Sequence, residues 1–315
     1  MVFSMGFGTN STGLPVLARN GTLIISDSIN HASIIVGSRA SGAKIAIFKH
    51  DSMDDLEKLI RKSIIEGQPR THRPWKSIII IVEGIYSMEG EFCNLPKLIE
   101  LKKKYKCYLY VDEAHSIGCI GRTGRGVCEH FNIDTKEVDL MMGTFTKSFG
   151  SVGGYIAGDK HVIQYLRSNS EGYLTSMSIP PAACQQIISA LRIINGKDGT
   201  NIGREKLRSI HENSLYFRKA LIDAGLHVLG DEGSPVIPVL LYMPSKILFC
   251  DQTRIRGLAV VTVGFPATPL LLGRARFCLS ASHTREDLED AVQKIIEVSK
   301  LLDVDYGRDT NHSYQ

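Results

Sequence analysis

One lysine stands among hydroxyls and glycines in Gly143-Thr144-Phe145-Thr146-Lys147-Ser148-Phe149-Gly150, directly after an apolar run. A phosphate-gripping Walker loop needs glycine before its lysine, and Thr146 holds that place, so nucleotide hydrolysis is disfavoured. A solvated lysine on a glycine-rich turn remains the plain alternative. A second segment, Val111-Asp112-Glu113-Ala114-His115-Ser116-Ile117-Gly118, follows another apolar run. That places Asp112 at the carboxyl end of a strand, where open α/β sheets bind ligands. A carboxylate for a pyridinium nitrogen, an imidazole beside the same ring and a lysine able to form a Schiff base are the minimum set for pyridoxal phosphate chemistry. The alternative is an Asp and a His that only cap a loop.

Two further segments fit one pocket. Asn30-His31-Ala32-Ser33 offers an imidazole at a helix start, able to stack on a coenzyme ring or to serve structurally. Glu83-Gly84-Ile85-Tyr86-Ser87 ends a β-branched run and brings a glycine-rich turn to the same sheet edge. By contrast, Gly121-Arg122-Thr123-Gly124-Arg125-Gly126 has the glycine order of the dinucleotide fingerprint reversed and no strand directly before it, and is discarded.

The elements that must position these groups follow from periodicity. Strands are expected at 45–48, 77–82, 107–111, 138–144 and 154–157, separated by helices, which is the rhythm of a mostly parallel sheet. Ser52 with Asp55 reads as a capping box before Met53, Leu56, Ile60 and Ile64, and Gly67 closes that helix. Further helices are expected at 96–105, 160–167, 181–194 and 202–224. A polar, glycine-rich stretch at 195–199 marks a domain boundary. Beyond it, strands at 236–241, 259–263 and 275–280 and a helix capped by Thr284 and Asp287 make a smaller α+β domain. Residues 249–254 have a poor apolar period for a helix. The expected division is a large domain at 1–197, a small one at 198–305 and a frayed polar tail at 306–315.

Composition is consistent with this layout. The 315 residues are 43% hydrophobic and 22% charged, enough for a full core. Net charge is +4 without a basic block, so nucleic-acid binding gains no support. Seven scattered cysteines lack a C-x-x-C pair or a histidine cluster, which argues against a metal site and for reduced thiols. The most apolar windows, 78–82 and 258–272, are too short or too rich in Gly and Pro to span a bilayer, and no secretory signal opens the chain.

Together these segments resemble the α-oxoamine synthases, a fold-type I pyridoxal phosphate family that joins an amino acid to an acyl-CoA with loss of carbon dioxide. GTFTKSFG, VDEAHSIG, VEGIYSMEG, NHAS, EGQPRT, VGFPATP and RARFCLSASHT are most similar to the catalytic long-chain-base branch, types 2 and 3, of the eukaryotic serine palmitoyltransferases. The resemblance runs from residue 1 to about residue 305. It implies Lys147 as the Schiff-base lysine and general base, Asp112 on the pyridine nitrogen, His115 near the ring hydroxyl and His31 stacked on the ring. Thr144 and Ser87 complete the pocket, Gly6 and Phe7 offer backbone N–H groups to the phosphate, and Arg276 grips the substrate carboxylate. The implied reaction condenses L-serine with palmitoyl-CoA. The implied partners are a lysine-less long-chain-base subunit 1 and small activating and regulatory membrane subunits, at the cytosolic face of the endoplasmic reticulum membrane. The family pattern also carries an N-terminal portion that this sequence lacks, so a truncated chain is expected. Two alternatives stay open: another member, aminolevulinate synthase-like, or a non-catalytic piece that only binds the partner subunit.

Overall fold

The computed structural model describes residues 1–309, and the last six residues of the expected tail lie outside the described residues. Backbone contacts divide the chain into two units, one formed by Met1–Tyr86 with Cys93–Gly203, the other by Ser87–Phe92 with the chain from Arg204 onward.

The first unit carries β1 (Val2–Phe3), α1 (Gly6–Leu17), β2 (Thr22–Asp27), α2 (Ala32–Ala40), β3 (Lys44–Phe48), α3 (Met53–Glu66), β4 (Ser77–Glu83), α4 (Leu95–Tyr105) and β5 (Tyr108–Asp112). It continues with α5 (Val127–His130), β6 (Leu140–Thr144), β7 (Gly154–Gly158), α6 (Lys160–Asn169), α7 (Glu171–Thr175) and α8 (Pro181–Ile194). Its seven-stranded sheet has the order β1-β7-β6-β5-β4-β2-β3. The strands from β3 to β6 pair in parallel, while β7 pairs antiparallel with both β6 and the edge strand β1. β2 is buried throughout and β4 almost so, as continuous β-branched runs covered on both faces should be. Ile24, Ile79, Ile81, Tyr110, Met142 and Ile156 fill one face beneath Leu14 and Ile34 of the helices.

Local signals explain most boundaries. Ser52 caps α3 by accepting the Asp55 N–H, and Gly67 ends it at φ 67°. The expected reciprocal bond of the capping box is replaced, because the Asp55 carboxylate accepts the Lys49 N–H at 2.9 Å. α4 opens with Pro96 in its first turn under Asn94 and closes on left-handed Lys106.

α9 (Ile202–Asp223) leads from the first unit into the second, which adds β8 (Val236–Tyr242), α10 (Phe249–Ile255), β9 (Val261–Val263), β10 (Gly273–Cys278) and α11 (Arg285–Leu301). β8, β10 and β9 form an antiparallel sheet in that order. α10 forms despite its weak periodicity because Phe249 and Thr253, four apart, are both buried. The capping box of α11 is complete, with Thr284 and Asp287 each accepting the other's backbone N–H. The tail begins packed rather than frayed: Tyr306 donates its hydroxyl to Leu241 O at 3.4 Å and sits edge-on to Tyr242.

Candidate active site

Parallel pairing aligns the carboxyl ends of the central strands. Glu83 of β4 pairs with Asp112 of β5, and Asp112 with Met142 of β6, two residues before Thr144. Side chains two apart on a strand share a face. Tyr110 and Asp112 therefore project together toward α1, where both meet Asn10. The Tyr110 hydroxyl donates to Asn10 Oδ1 at 2.7 Å, and Asn10 Nδ2 donates to Asp112 Oδ2 at 2.7 Å. The second hydrogen of Nδ2 reaches Ser33 Oγ at 2.9 Å, and Ser33 Oγ lies 2.8 Å from His31 Nδ1. Ala114 N–H closes the far side of the carboxylate at 2.9 Å.

This brings Asp112 and His31 into one hydrogen-bonded set through two residues that sequence reasoning missed, Asn10 and Ser33. Their one signal is a polar residue among buried positions of short, glycine-bearing helices. The helices meet because position 37 is glycine: a Cβ there would lie 2.4 Å from Asn10 O. His31 is the N-cap of α2, donates its own N–H to Glu83 Oε1 at 2.5 Å and faces the Phe7 ring edge-on at 6.1 Å.

Lys147 is exposed on the turn after β6. Its charge acts on both Asp112 and His31. Burial pushes Asp112 above the usual carboxylate range, against the donors Asn10 and Ala114 and the positive charges of Lys147 and His31. Burial likewise pushes His31 below the ordinary imidazole range, opposed by Asp112 and reinforced by Lys147. His115 is half-buried on the turn after β5, where its carbonyl accepts the Cys119 thiol at 3.0 Å. That turn abuts the lysine turn, because a Cβ on Gly118, which has φ 81°, would lie 2.6 Å from Ser148 Cβ.

Thr144 ends β6, and its buried Oγ1 has no hydrogen-bond partner. The first turn of α1 lies against it, since a Cβ on Gly6 would be 3.1 Å from Thr144 Cγ2. Met5, the N-cap of α1, supplies no side-chain bond, so the N–H groups of Gly6 and Phe7 open this twelve-residue helix without a side-chain cap.

Ser87 and Arg276 belong to the second unit. Arg276 Nη1 reaches Ser87 O only at 3.4 Å, and its buried Nε has no partner. Its neighbour two along β10, Arg274, donates from Nε to Leu272 O at 3.2 Å and from Nη1 to Met88 O at 3.0 Å and Glu89 Oε1 at 3.1 Å.

The donor set of the first unit fits pyridoxal phosphate. It offers an amine, a buried carboxylate matched to a pyridinium N–H, an imidazole face, an orphaned hydroxyl and a helix N-terminus suited to a dianion. A cleft of about 670 Å³ opens elsewhere, at the other ends of the strands beside Ser77, Tyr108 and Leu140, and takes no part in this set.

A mostly parallel sheet with a lysine and an aspartate at adjacent strand ends defines a pyridoxal phosphate-dependent class of fold. The aminotransferase class I and II family matches residues 1–295, and the chain belongs to that family. It is 57% identical over 307 residues to long chain base biosynthesis protein 2a of Arabidopsis thaliana, covering 97% of this chain and 63% of the relative. Among solved structures, a serine palmitoyltransferase from Sphingomonas wittichii superposes with a TM-score of 0.88 at 29% identity, covering 96% of this chain and 73% of that one. A second, described as SPT with PLP as internal aldimine, gives a TM-score of 0.86 at 27% identity over the same shares. The chain thus spans about 63% of the length of the curated relatives it matches.

Proposed function

We propose that this chain is the catalytic subunit of a serine palmitoyltransferase, using pyridoxal phosphate to condense L-serine with palmitoyl-CoA and release carbon dioxide. The observation that carries the reading is the convergence of Lys147, Asp112 and His31, linked by charge and by the Asn10–Ser33 bridge. Similarity to long chain base biosynthesis proteins and serine palmitoyltransferases supports the choice of substrates.

When bound, the coenzyme supplies a protonated pyridine ring that accepts the electrons released as a bond to the substrate α-carbon breaks. The protein's part is positional and electrostatic. Asp112 would hold the pyridine proton, and a cation there offsets the desolvation that otherwise raises its pKa. Asn10 and Ala114 keep the carboxylate oriented. Gly6 and Phe7 would present N–H groups and the positive end of α1 to the phosphate, and Thr144 would give its free hydroxyl a partner. His31 would cover one ring face, and His115 would lie near the ring oxygen. Lys147 would carry the coenzyme and, once displaced by the amino acid, move the α-proton as general base. Ser87, in the second unit, would be the remaining residue of the expected set. There the planar fork of Arg276, with its unpartnered Nε, suits the substrate carboxylate.

The same reading extends to partners and place. The catalytic chain would act with a lysine-less long-chain-base subunit 1 and small membrane subunits on the endoplasmic reticulum membrane. Among the described residues no helix is long and apolar enough to cross a membrane, so these subunits or segments beyond this chain would supply the attachment.

The test is to add pyridoxal phosphate to the purified chain, record its visible absorption with and without serine, then reduce with borohydride and map the peptides. The expected result is a serine-sensitive band and a pyridoxyl group on Lys147. A folded chain that incorporates none would leave it a non-catalytic piece that binds its partner.

A further inference from the structure

His31 caps α2 in an unusual way, with a ring nitrogen as the acceptor. Nδ1 accepts the Ser33 N–H at 3.2 Å, and the Ser33 hydroxyl lies 2.8 Å from the same nitrogen. A backbone amide can only donate, so Nδ1 must offer its lone pair and carry no proton. The ring is then neutral with its hydrogen on Nε2.

What the hydroxyl does is settled one step further away. Asn10 Nδ2 stands 2.7 Å from Asp112 Oδ2, and Tyr110 OH stands 2.7 Å from Asn10 Oδ1. Reversing the amide would set two acceptors face to face against an ionised Asp112, so its NH2 group points at the carboxylate and at Ser33. With Asn10 donating to its oxygen, the Ser33 hydroxyl keeps its own hydrogen for His31 Nδ1. Both donors of Ser33 therefore converge on one ring nitrogen.

We infer that Asn10 and Ser33 are positioning residues that lock His31 as the neutral Nε2–H tautomer, joining its state to that of Asp112 through three hydrogen bonds, with Asn10 fixed from its other side by Tyr110. Protonating Nδ1 would break the cap of α2, oppose two donors and place a positive charge at the helix N-terminus, all in the same direction. The groups that set the local field are Asp112 and Glu83, which favour a cation, and Lys147, which opposes one. Burial adds to Lys147, and the resulting shift is downward. The ring offered to a coenzyme is thus uncharged, with a donor rather than an acceptor at its outer edge.

The inference rests on the coenzyme reading for its use, and its test does not. Nitrogen-15 and carbon-13 spectra of the full chain, labelled at histidine and free of coenzyme, report tautomer and titration directly. The His31 signal is assigned by its loss in His31→Gln. The expected spectrum shows an unprotonated Nδ1 and a protonated Nε2 at pH 7. Asn10→Ala releases the Ser33 hydroxyl to reorient and Ser33→Ala removes it, and each should raise the His31 pKa by about half a unit or more and mix the tautomers. Ser33→Thr, which keeps the hydroxyl, should restore the wild-type pattern. A protonated Nδ1 in the wild-type chain would overturn the inference whether or not any variant folds. An unchanged His31 in folded Asn10→Ala and Ser33→Ala would overturn the role of the two residues. Failure of Lys147 to take up coenzyme, with the His31 tautomer as expected, would count against the proposed function alone.

Discussion

In the first unit the buried carboxylate of Asp112 is held by donors from Asn10 and Ala114, whereas in the second the guanidinium of Arg276 keeps a buried Nε with no partner. Arg274 sharpens the contrast. It lies two residues from Arg276 on the same strand, is more deeply buried, and has its Nε and Nη1 donating to Glu89 and two carbonyls. Burying an unsatisfied polar group costs free energy in the folded chain, so such a group is a natural place to look for a ligand. Asp112 poses the converse case. Its acceptors are partly used to fix its orientation, and its charge is left for a cation that burial makes it need. One unit prepares a charge by satisfying its surroundings, and the other by leaving a donor open.

The largest test of that contrast is the arginine pair. Removing one partner of a buried ion pair costs about 3–5 kcal/mol, so Arg274→Ala should lose that much stability in urea unfolding. Arg276→Ala, which gives up two long contacts, to Ser87 O and Met88 Sδ, should change stability by less than about 1 kcal/mol and lose amino-acid affinity instead. Equal losses of stability would erase the distinction.

Glu113, next to Asp112, tests the other unit. Its carboxylate accepts from the Ser116 hydroxyl and from Val127 N–H at 3.1 Å, yet burial pushes its pKa up to about 7. A raised acid holds its proton in the fold where the unfolded chain has released it. Stability therefore declines as pH rises from the ordinary carboxylate range to about 7, by roughly 3 kcal/mol in all. Glu113→Gln can keep both bonds and should remove most of that decline, measured as the difference in unfolding free energy between pH 5 and pH 8. A variant with the same pH slope as wild type would show that Glu113 is not the group responsible.

The smallest effect is expected at Thr144. Replacing its unpartnered hydroxyl by a methyl in Thr144→Val should leave the coenzyme-free chain unchanged or more stable by under about 1 kcal/mol. The same variant should bind coenzyme more weakly, measured by fluorescence titration. A coenzyme affinity equal to wild type would mean that the orphaned hydroxyl is merely tolerated.

Much of the first unit was legible because its signals are local. The β-branched run of β4, the cap at Ser52 and, in the second unit, the apolar face of α11 each follow from nearest neighbours in sequence. The lysine and aspartate segments could be placed at strand ends for the same reason. What stayed hidden depends on approach in space. α1 carries Gly6, Gly8, Gly13 and an internal Pro15, which is a poor helix by propensity. It forms where those small residues let it pack closely, as Gly13 does against Ile156. Asn10 is therefore unreadable as a bridge until α1 and α2 are seen side by side. α10 was obscured because two buried positions, Phe249 and Thr253, suffice for so short a helix.

The hexapeptide Ser87–Phe92 makes the second unit discontinuous along the chain. Glu89 waits for an arginine 185 residues downstream, and Phe92 N–H for an Asp231 carboxylate 139 residues downstream. On the ribosome those six residues emerge long before the unit to which they belong, so the second unit cannot close until almost the whole chain has been made. Nor can it be cut out as one piece: a gene fragment starting at Arg204 would encode an Arg274 whose carboxylate partner had been left behind.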